Sequence, residues 1–334
     1  MVNFNNSGNY VSELESCKTK YTILLTSAGG LTGVYLSKHF KKSGLYRIVA
    51  IDMSDTTPLN NWVDAFYVVP SVEDKEYIPV LESIVLKEEV DIIIPITSYD
   101  INLFSKQKVK DNFPNVKMLL MEDQDNRILS NKRTCYEYLE LLGIKSPQVY
   151  KSIEEVNFPC ILKPMEGSGS KDTVKIENNI DYNYWSEKVH DYFLVEYIGG
   201  KEFTVDCLFD NNGKCLGANV RERIKISGGG ATVTRNDYSQ NINKVIQILE
   251  NTRKIKGPIN FQFKRMDSGE CCIFDFNTRF ASGGLPLTVE SGFDIPNRLI
   301  QMILNEQVEL WYPQKSNDGL TMVRYYEEFF EYTL

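Results

Sequence analysis

Two segments, Pro258–Lys264 and Ile273–Arg279, alternate apolar and polar residues on either side of a short turn, and no other feature restricts the fold as much. Successive side chains of a strand point to opposite faces, so the alternation describes two strands with one face buried and the other not. A turn at Asp267-Ser268-Gly269-Glu270 centres the pairing between Ser268 and Gly269, which sets Gln262 opposite Asp275 and Asn260 opposite Asn277. A carboxylate and several amide oxygens then share one sheet face. That is a seat suited to Mg²⁺, a hard cation commonly shared with substrate phosphates, and Arg279 follows further along the same face. An ordinary hairpin with a solvated polar face has the same pattern, so the rest of the chain must decide.

At 334 residues the chain suits two or three packed units. A net charge of -8 argues against nucleic acid or an anionic membrane as the main partner. No apolar run approaches the roughly 18 residues needed to span a bilayer. The first 20 residues are polar and read as a loose segment ahead of the first strand. Seven cysteines, with no pair at metal-knuckle spacing, suggest neither a disulfide framework nor a zinc site and fit a reducing cytoplasm. The two histidines, His39 and His190, fall in segments that read as amphipathic helix, so both are expected at solvated helix positions and histidine chemistry is not expected.

From Tyr21 to about residue 121 strands alternate with helices. Tyr21–Ser27, Arg47–Asp52 and Asp91–Thr97 are short apolar runs typical of buried parallel strands, with Val116–Met121 as a fourth. Tyr77–Glu89 has the apolar spacing of a one-sided helix. These elements describe a doubly wound α/β unit. Residues 122–146 read as a helical connector with Tyr136, Leu139 and Leu142 on one face and Gly143 as its stop. From Val149 the texture becomes β-rich and Gly-punctuated, with helices expected over Gln240–Lys256 and Ile295–Glu306.

Three stretches carry candidate chemistry. Ser27–Gly33 enters a helix from a strand, and Asp52 ends the next strand, a near match to the dinucleotide fingerprint with Ala28 at the first glycine position. Tight strand-to-helix packing needs the same small residues. Lys163 leaves the apolar strand Cys160–Leu162 into a loop bearing Ser168, Gly169, Ser170 and Lys171. Such a loop can fold over a triphosphate, with amides, hydroxyls and ammonium groups on its oxygens, although a surface hairpin has the same composition. Phe193–Glu202 offers an apolar strand, a glycine hinge and two carboxylates, with backbone for adenine and Glu202 for ribose hydroxyls; alone it reads equally as an edge strand with charged ends.

The order of Lys132, Lys163-Pro164 with its Gly/Ser loop, Glu196 to Glu202, Gln262, Asp275-x-Asn277-x-Arg279 and Gly283-Gly284 resembles the ATP-grasp superfamily. Within it, the chain is most similar to short proteins like one half of the carbamoyl phosphate synthase large subunit. The resemblance covers roughly residues 21–305. It implies an α/β and α+β chain: a flexible segment (1–20), a Rossmann-like pre-ATP-grasp domain (21–121), a helical connector (122–146), and a two-lobed ATP-grasp domain with its small lobe at 147–198 and its large lobe and C-terminal segment at 199–334. Carried over by position, Lys132, Lys163, Ser168, Gly169 and Ser170 contact ATP phosphates, Glu196, Tyr197 and Ile198 line adenine, and Glu202 holds ribose. Gln262, Asp275 and Asn277 hold Mg²⁺, with Mn²⁺ as the alternative ion, and Asn277 and Arg279 are catalytic. Arg221 and Arg223 are candidates to grip a substrate carboxylate bidentately, with Gly283 and Gly284 beside them; a solvated strand face is the alternative for both arginines.

The chain departs from the family pattern at Asp275, usually Glu, at Thr278, usually Pro, and at Asp172, usually Gly. The implied activity is ATP-dependent carboxylate–amine ligation through an acyl phosphate, with small-molecule carboxylate and amine partners, in the cytoplasm; family analogy suggests a homodimer. The alternatives are carbamoyl phosphate synthase-like phosphorylation, an NAD(P)-binding Rossmann protein, and an ATP-binding protein without turnover.

Overall fold

Residues 20–330, apart from 166–171 and 267, are described in a computed structural model of the chain; the expected loose segment falls outside them except for Lys20. β1 (Tyr21–Thr26) buries Ile23, Leu24 and Leu25 completely, as a strand covered on both faces must. It is followed by α1 (Leu31–Ser43), β2 (Tyr46–Asp52), β3 (Ala65–Val68), α2 (Tyr77–Lys87), β4 (Ile92–Pro95), α3 (Ser98–Phe104) and α4 (Gln107–Lys110). The strands form a parallel sheet in the order β3-β2-β1-β4. β3 was not expected. It is a half-exposed edge strand of four residues, Ala65-Phe66-Tyr67-Val68, and so short a run does not announce a strand by itself. Val116–Met121, expected as a strand, contributes only a bridge between Lys117 and Ile92, because the chain leaves the sheet there for the helix beginning at Asp123.

The connector consists of α5 (Asp123–Ser130) and α6 (Lys132–Leu141), the latter capped by the Asn131 side chain, which accepts from the Arg133 and Thr134 amides. A small antiparallel sheet of order β5-β8-β6-β7 follows, built from β5 (Val149–Tyr150), β6 (Cys160–Pro164), β7 (Val174–Ile176) and β8 (Tyr192–Glu196), with α7 (Asn179–Ser186) against it. The remaining elements are β9 (Glu202–Phe209), β10 (Cys215–Ser227), β11 (Gly230–Asn236), α8 (Asn243–Thr252), β12 (Gly257–Arg265), β13 (Cys271–Asn277), α9 (Leu285–Glu290), α10 (Ile295–Ile303) and β14 (Thr321–Val323). Their strands form a six-stranded sheet of order β13-β12-β9-β10-β11-β14.

One apolar cluster runs from Ile23 and Phe40 of the first unit to Leu208, Phe280, Phe293 and Leu299, so the first sheet and the large one share a core. His39 takes part in this junction and is not a solvated helix position: its Nε2 lies 2.9 Å from Oδ1 of Asp294, the residue capping α10. His190 is exposed but lies beyond the end of α7, not within a helix.

The fingerprint loop is satisfied internally. The Gly29 amide donates to Asp52 Oδ2 at 2.7 Å, so the carboxylate that would hold a dinucleotide ribose is already on the loop. Gly33 packs against the turn that follows β1: an added Cβ would lie 2.1 Å from the Ala28 carbonyl oxygen, a backbone clash, whereas one on Gly30 meets nothing within 4 Å. Gly33→Ala is therefore expected to lower stability by more than about 2 kcal/mol, and Gly30→Ala by less than about 1 kcal/mol, measured by urea unfolding monitored by circular dichroism.

Candidate functional site

β12 and β13 pair Gln262 with Asp275 and Asn260 with Asn277, the register set by the expected turn centre; of that turn, Asp267 lies outside the described residues. Between Gln262–Asp275 and Phe263–Ile273 the ladder slips, leaving Phe274 as an extra residue on β13. A bulge frees backbone groups from the ladder. Here the Phe274 carbonyl accepts from the Tyr136 hydroxyl of α6 and, at 2.9 Å, from Lys163 Nζ of β6. Lys163 Nζ also donates to Tyr136 Oη at 2.7 Å, so one carbonyl joins the small sheet, the connector and the large sheet. Tyr136 was expected only on the apolar face of the connector, and Phe274 was not singled out, because alternation does not announce a bulge.

Around this junction lies a cavity of about 540 Å³ between the two sheets, with Ser98, Tyr99 and Asn102 of α3 on its far side. Period-two alternation puts its polar wall on one sheet face: Glu202, Thr204 and Asp206 of β9 register with Lys264, Gln262 and Asn260 of β12. Gln262 Nε2 and Asn277 Nδ2 both donate to Asp275 Oδ2, at 2.9 and 2.7 Å. Arg279 Nη2 donates to Asn277 Oδ1 at 3.2 Å, and Arg279 Nε donates to Ser98 Oγ at 3.2 Å, a contribution of the first unit to the site. Thr278 Oγ1 donates to Asn126 Oδ1 at 2.8 Å, a bond that the usual proline could not make.

Lys132 and Lys163 line the same cavity. Burial lowers both ammonium pKa values, Lys163 to about 8, while the Asp275 charge opposes the shift in each. Glu196, Tyr197 and Ile198 also line it at the end of β8. Glu202 lies 3.5 Å from Arg223 Nε and 3.4 Å from Lys264 Nζ. Ser168, Gly169 and Ser170 lie outside the described residues. Asp172 has φ of 60°, a left-handed conformation natural to the family's glycine and tolerated by aspartate better than by most residues.

At the other end the two arginines separate in role. Arg221 is fully buried, with Nε and Nη2 on Asp206 at 2.9 and 3.1 Å, so the edge that would clasp a substrate carboxylate is already occupied. Gly284 makes room for that guanidinium: a Cβ there would lie 2.0 Å from Arg221 Cζ. Gly284 is thus a seat for Arg221, whereas Gly283 lines the cavity itself. Arg223 also lines the cavity, its Nη2 donating to the Gly229 carbonyl at 2.9 Å. Its Nε and the Thr204 hydroxyl are buried and make no hydrogen bond among the described residues, with Glu202 at 3.5 Å as the ion-pair partner of Nε. Thr204 was missed, although its alternation with Glu202 on a strand facing Gln262 is legible once the pairing is known.

The donor set fits one hard cation. Asp275 supplies a carboxylate, and Gln262 and Asn277, hydrogen-bonded to its Oδ2 through their amide nitrogens, carry amide oxygens beside it. Magnesium habitually takes one or two carboxylates and completes its shell with water and phosphate oxygens. Among the described residues no group of three or more His, Cys, Asp or Glu could form a closed protein cage.

Residues 188–328 match the family described as ATP-grasp in the biosynthetic pathway with Ter operon, and residues 23–119 match the PylC-like N-terminal domain. The chain is 22% identical over 180 residues to a carbamoyl-phosphate synthase of Methanobrevibacter smithii, covering 51% of this chain and 47% of that protein. It is 32% identical over 91 residues to a D-alanine–D-alanine ligase of Fusobacterium nucleatum, covering 27% of this chain and 31% of that one. The matched stretches thus span less than half of either relative. In fold, the biotin carboxylase domain of 2-oxoglutarate carboxylase from Hydrogenobacter thermophilus, solved with MgADP, ADP and bicarbonate, aligns with a TM-score of 0.69 at 15% identity, over 90% of this chain and 72% of that one. No helix among the described residues is long and apolar enough to cross a membrane.

Removing one partner of a buried ion pair leaves the other charge unmatched in the interior, so Arg221→Met is expected to lower stability by about 3–5 kcal/mol. Urea unfolding of the variant checks this; a surface arginine would shift stability by less than about 1 kcal/mol.

Proposed function

The chain carries an ATP-grasp domain behind a PylC-like N-terminal domain, and from that premise we propose that it is an ATP-dependent carboxylate–amine ligase acting through an acyl phosphate. The observation that supports this most is the cavity between the two sheets, with the Lys163 ammonium from one and the Asp275 carboxylate from the other. Lys132 and Lys163 supply positive charge for nucleotide phosphates, Tyr197 and Ile198 supply backbone beside the base, and Glu202 supplies a carboxylate for ribose hydroxyls. Gln262, Asp275 and Asn277 would hold Mg²⁺, which when bound neutralises charge on phosphate oxygens.

Arg223, on the cavity wall, holds the substrate carboxylate. One carboxylate oxygen forms a bond to the γ-phosphorus as the bond to ADP breaks, and Arg279 offsets charge developing on the transferred oxygens. An amine then attacks the acyl carbon, phosphate departs, and the amine loses a proton to complete the amide. No protein nucleophile is needed, so the described site, which lacks histidine, is chemically sufficient. Arg221, held by Asp206, positions the strand that carries Arg223.

Hydroxylamine can replace the unknown amine as acceptor. Incubation with ATP, Mg²⁺, hydroxylamine and a panel of amino acids and dicarboxylates is expected to give hydroxamate and ADP in equal amounts for at least one acid. Asn277→Ala should reduce this at least a hundredfold with the fold retained. ADP release without hydroxamate across the panel would sink the ligase reading.

Lys163 also sets a pH dependence. Its pKa is about 8 without ligand, and polyphosphate favours the ammonium and raises it, so protonation and nucleotide binding are linked. Affinity attributable to Lys163 is then constant below pH 8 and falls as pH rises above it, by up to about tenfold per unit until the pKa of the complex is reached. Titrating ADP and Mg²⁺ between pH 6.5 and 10 checks the slope, and Lys163→Met should bind more weakly and remove that component.

A further inference from the structure

The substrate end of the cavity is closed by Ala281, Ser282 and Gly283, a turn with no secondary-structure ladder of its own. One side of this turn rests on β11: a Cβ on Gly283 would lie 2.6 Å from the Ala231 nitrogen, so the backbones are in direct contact. Its other support comes from far along the chain. β14 pairs with β11, Val323 beside Val233 and Thr321 beside Arg235, and the Arg324 amide continues the contact by donating to the Thr232 carbonyl at 2.8 Å. From that anchored backbone the Arg324 side chain reaches the turn, Nε donating to the Gly283 carbonyl and Nη2 to the Ser282 carbonyl, each at 3.2 Å.

Arg324 is half-buried, and among the described residues no carboxylate lies within ion-pair distance of it. The contrast with Arg221 is informative, because Arg221 is neutralised by Asp206. A guanidinium that spends its fork on two carbonyls keeps its full charge, and that charge sits directly behind the wall of the cavity. Burial and the nearby Arg221 both lower its pKa, consistent with a cation lacking a counter-charge.

We propose that Arg324 is a positioning residue for the carboxylate substrate: it fixes the Ser282–Gly283 wall by its two carbonyl contacts and adds positive potential there. It does not line the cavity, so it acts through the wall and not by touching substrate. The inference rests on the ligase reading for the identity of the substrate, but its mechanical part does not. It also makes β14 part of the site.

The experiment compares wild type, Arg324→Lys and Arg324→Met. Hydrogen exchange of the intact chain is expected to show amides of residues 281–284 exchanging at least fivefold faster in Arg324→Met, with the hinge at residues 197–200 unchanged. With the acid that gives hydroxamate in wild type, KM for that acid should rise at least tenfold in Arg324→Met, while KM for ATP stays within twofold. Arg324→Lys keeps the charge and loses the fork, so it should recover part of the KM while its wall still exchanges faster than wild type. Unchanged exchange at 281–284 in both variants, or equal rises in both KM values, overturns the proposal. If wild type forms no hydroxamate, the ligase reading fails, and exchange alone upholds or overturns the role in holding the wall. Should Arg324→Met not fold, Arg324→Lys carries both measurements.

Discussion

The arrangement turns on one buried ammonium. Lys163 is 9% exposed, and an isolated cation in such a place would shed its proton or destabilise the fold. Its compensation comes from a carbonyl that the sheet would ordinarily consume: the bulge frees Phe274 O, and the Tyr136 hydroxyl and the rings of Tyr136 and Phe274 surround the rest. The compensation is incomplete, since the pKa remains depressed near 8. A site that holds a cation under-neutralised is primed for an anion, and in the proposed function a polyphosphate supplies the missing charge.

The same interaction explains why the two sheets face one another. β6 and β13 belong to different sheets and share no ladder, yet the Lys163 contact with Phe274 O ties them, and Tyr136 adds the connector to the knot. The first unit joins through Ser98 to Arg279, so one cavity draws on residues near 98, 223 and 279. Segments this far apart in sequence are brought together by the shared core that runs from Ile23 to Leu299. The N-terminal unit thereby acts as a wall and brace for the site, while its own fingerprint loop is occupied by Asp52.

What could be read from the sequence follows from how much of each feature is periodic. The β12–β13 register was legible because strict alternation on both strands and a turn between them leave few pairings that bury the apolar face. The Phe274 bulge was not, since an extra residue changes the ladder without changing composition. β3 escaped because it is only four residues long and half-exposed at the sheet edge, and Val116–Met121 misled because an apolar run marks burial, not pairing. The two strand arginines, Arg221 and Arg223, were equally plausible as ligand groups in sequence. What separates them is a partner on the neighbouring strand: Asp206 lies within reach of Arg221, and Arg223 is left with Glu202 at 3.5 Å. Pair preferences of that kind are set by tertiary register and by the space Gly284 leaves, neither of which alternation encodes.

The aspartate at 275 carries a consequence for the proposed chemistry. Its short side chain keeps the carboxylate close to the strand, where Gln262 and Asn277 both donate to the same oxygen, Oδ2, and Oδ1 takes no hydrogen bond from the described residues. Bridging two cations requires both oxygens to be presented to the cavity, whereas here one is committed to the sheet face. A longer carboxylate would pass beyond the two amides and lose that tether. On the proposed ligase reading, the geometry therefore favours a single metal ion between Asp275 and the phosphates. The charge that a second ion would neutralise then falls to the cations already aimed at the cavity, Lys132, Lys163 and Arg279, whose burial strengthens their field on the phosphoryl oxygens.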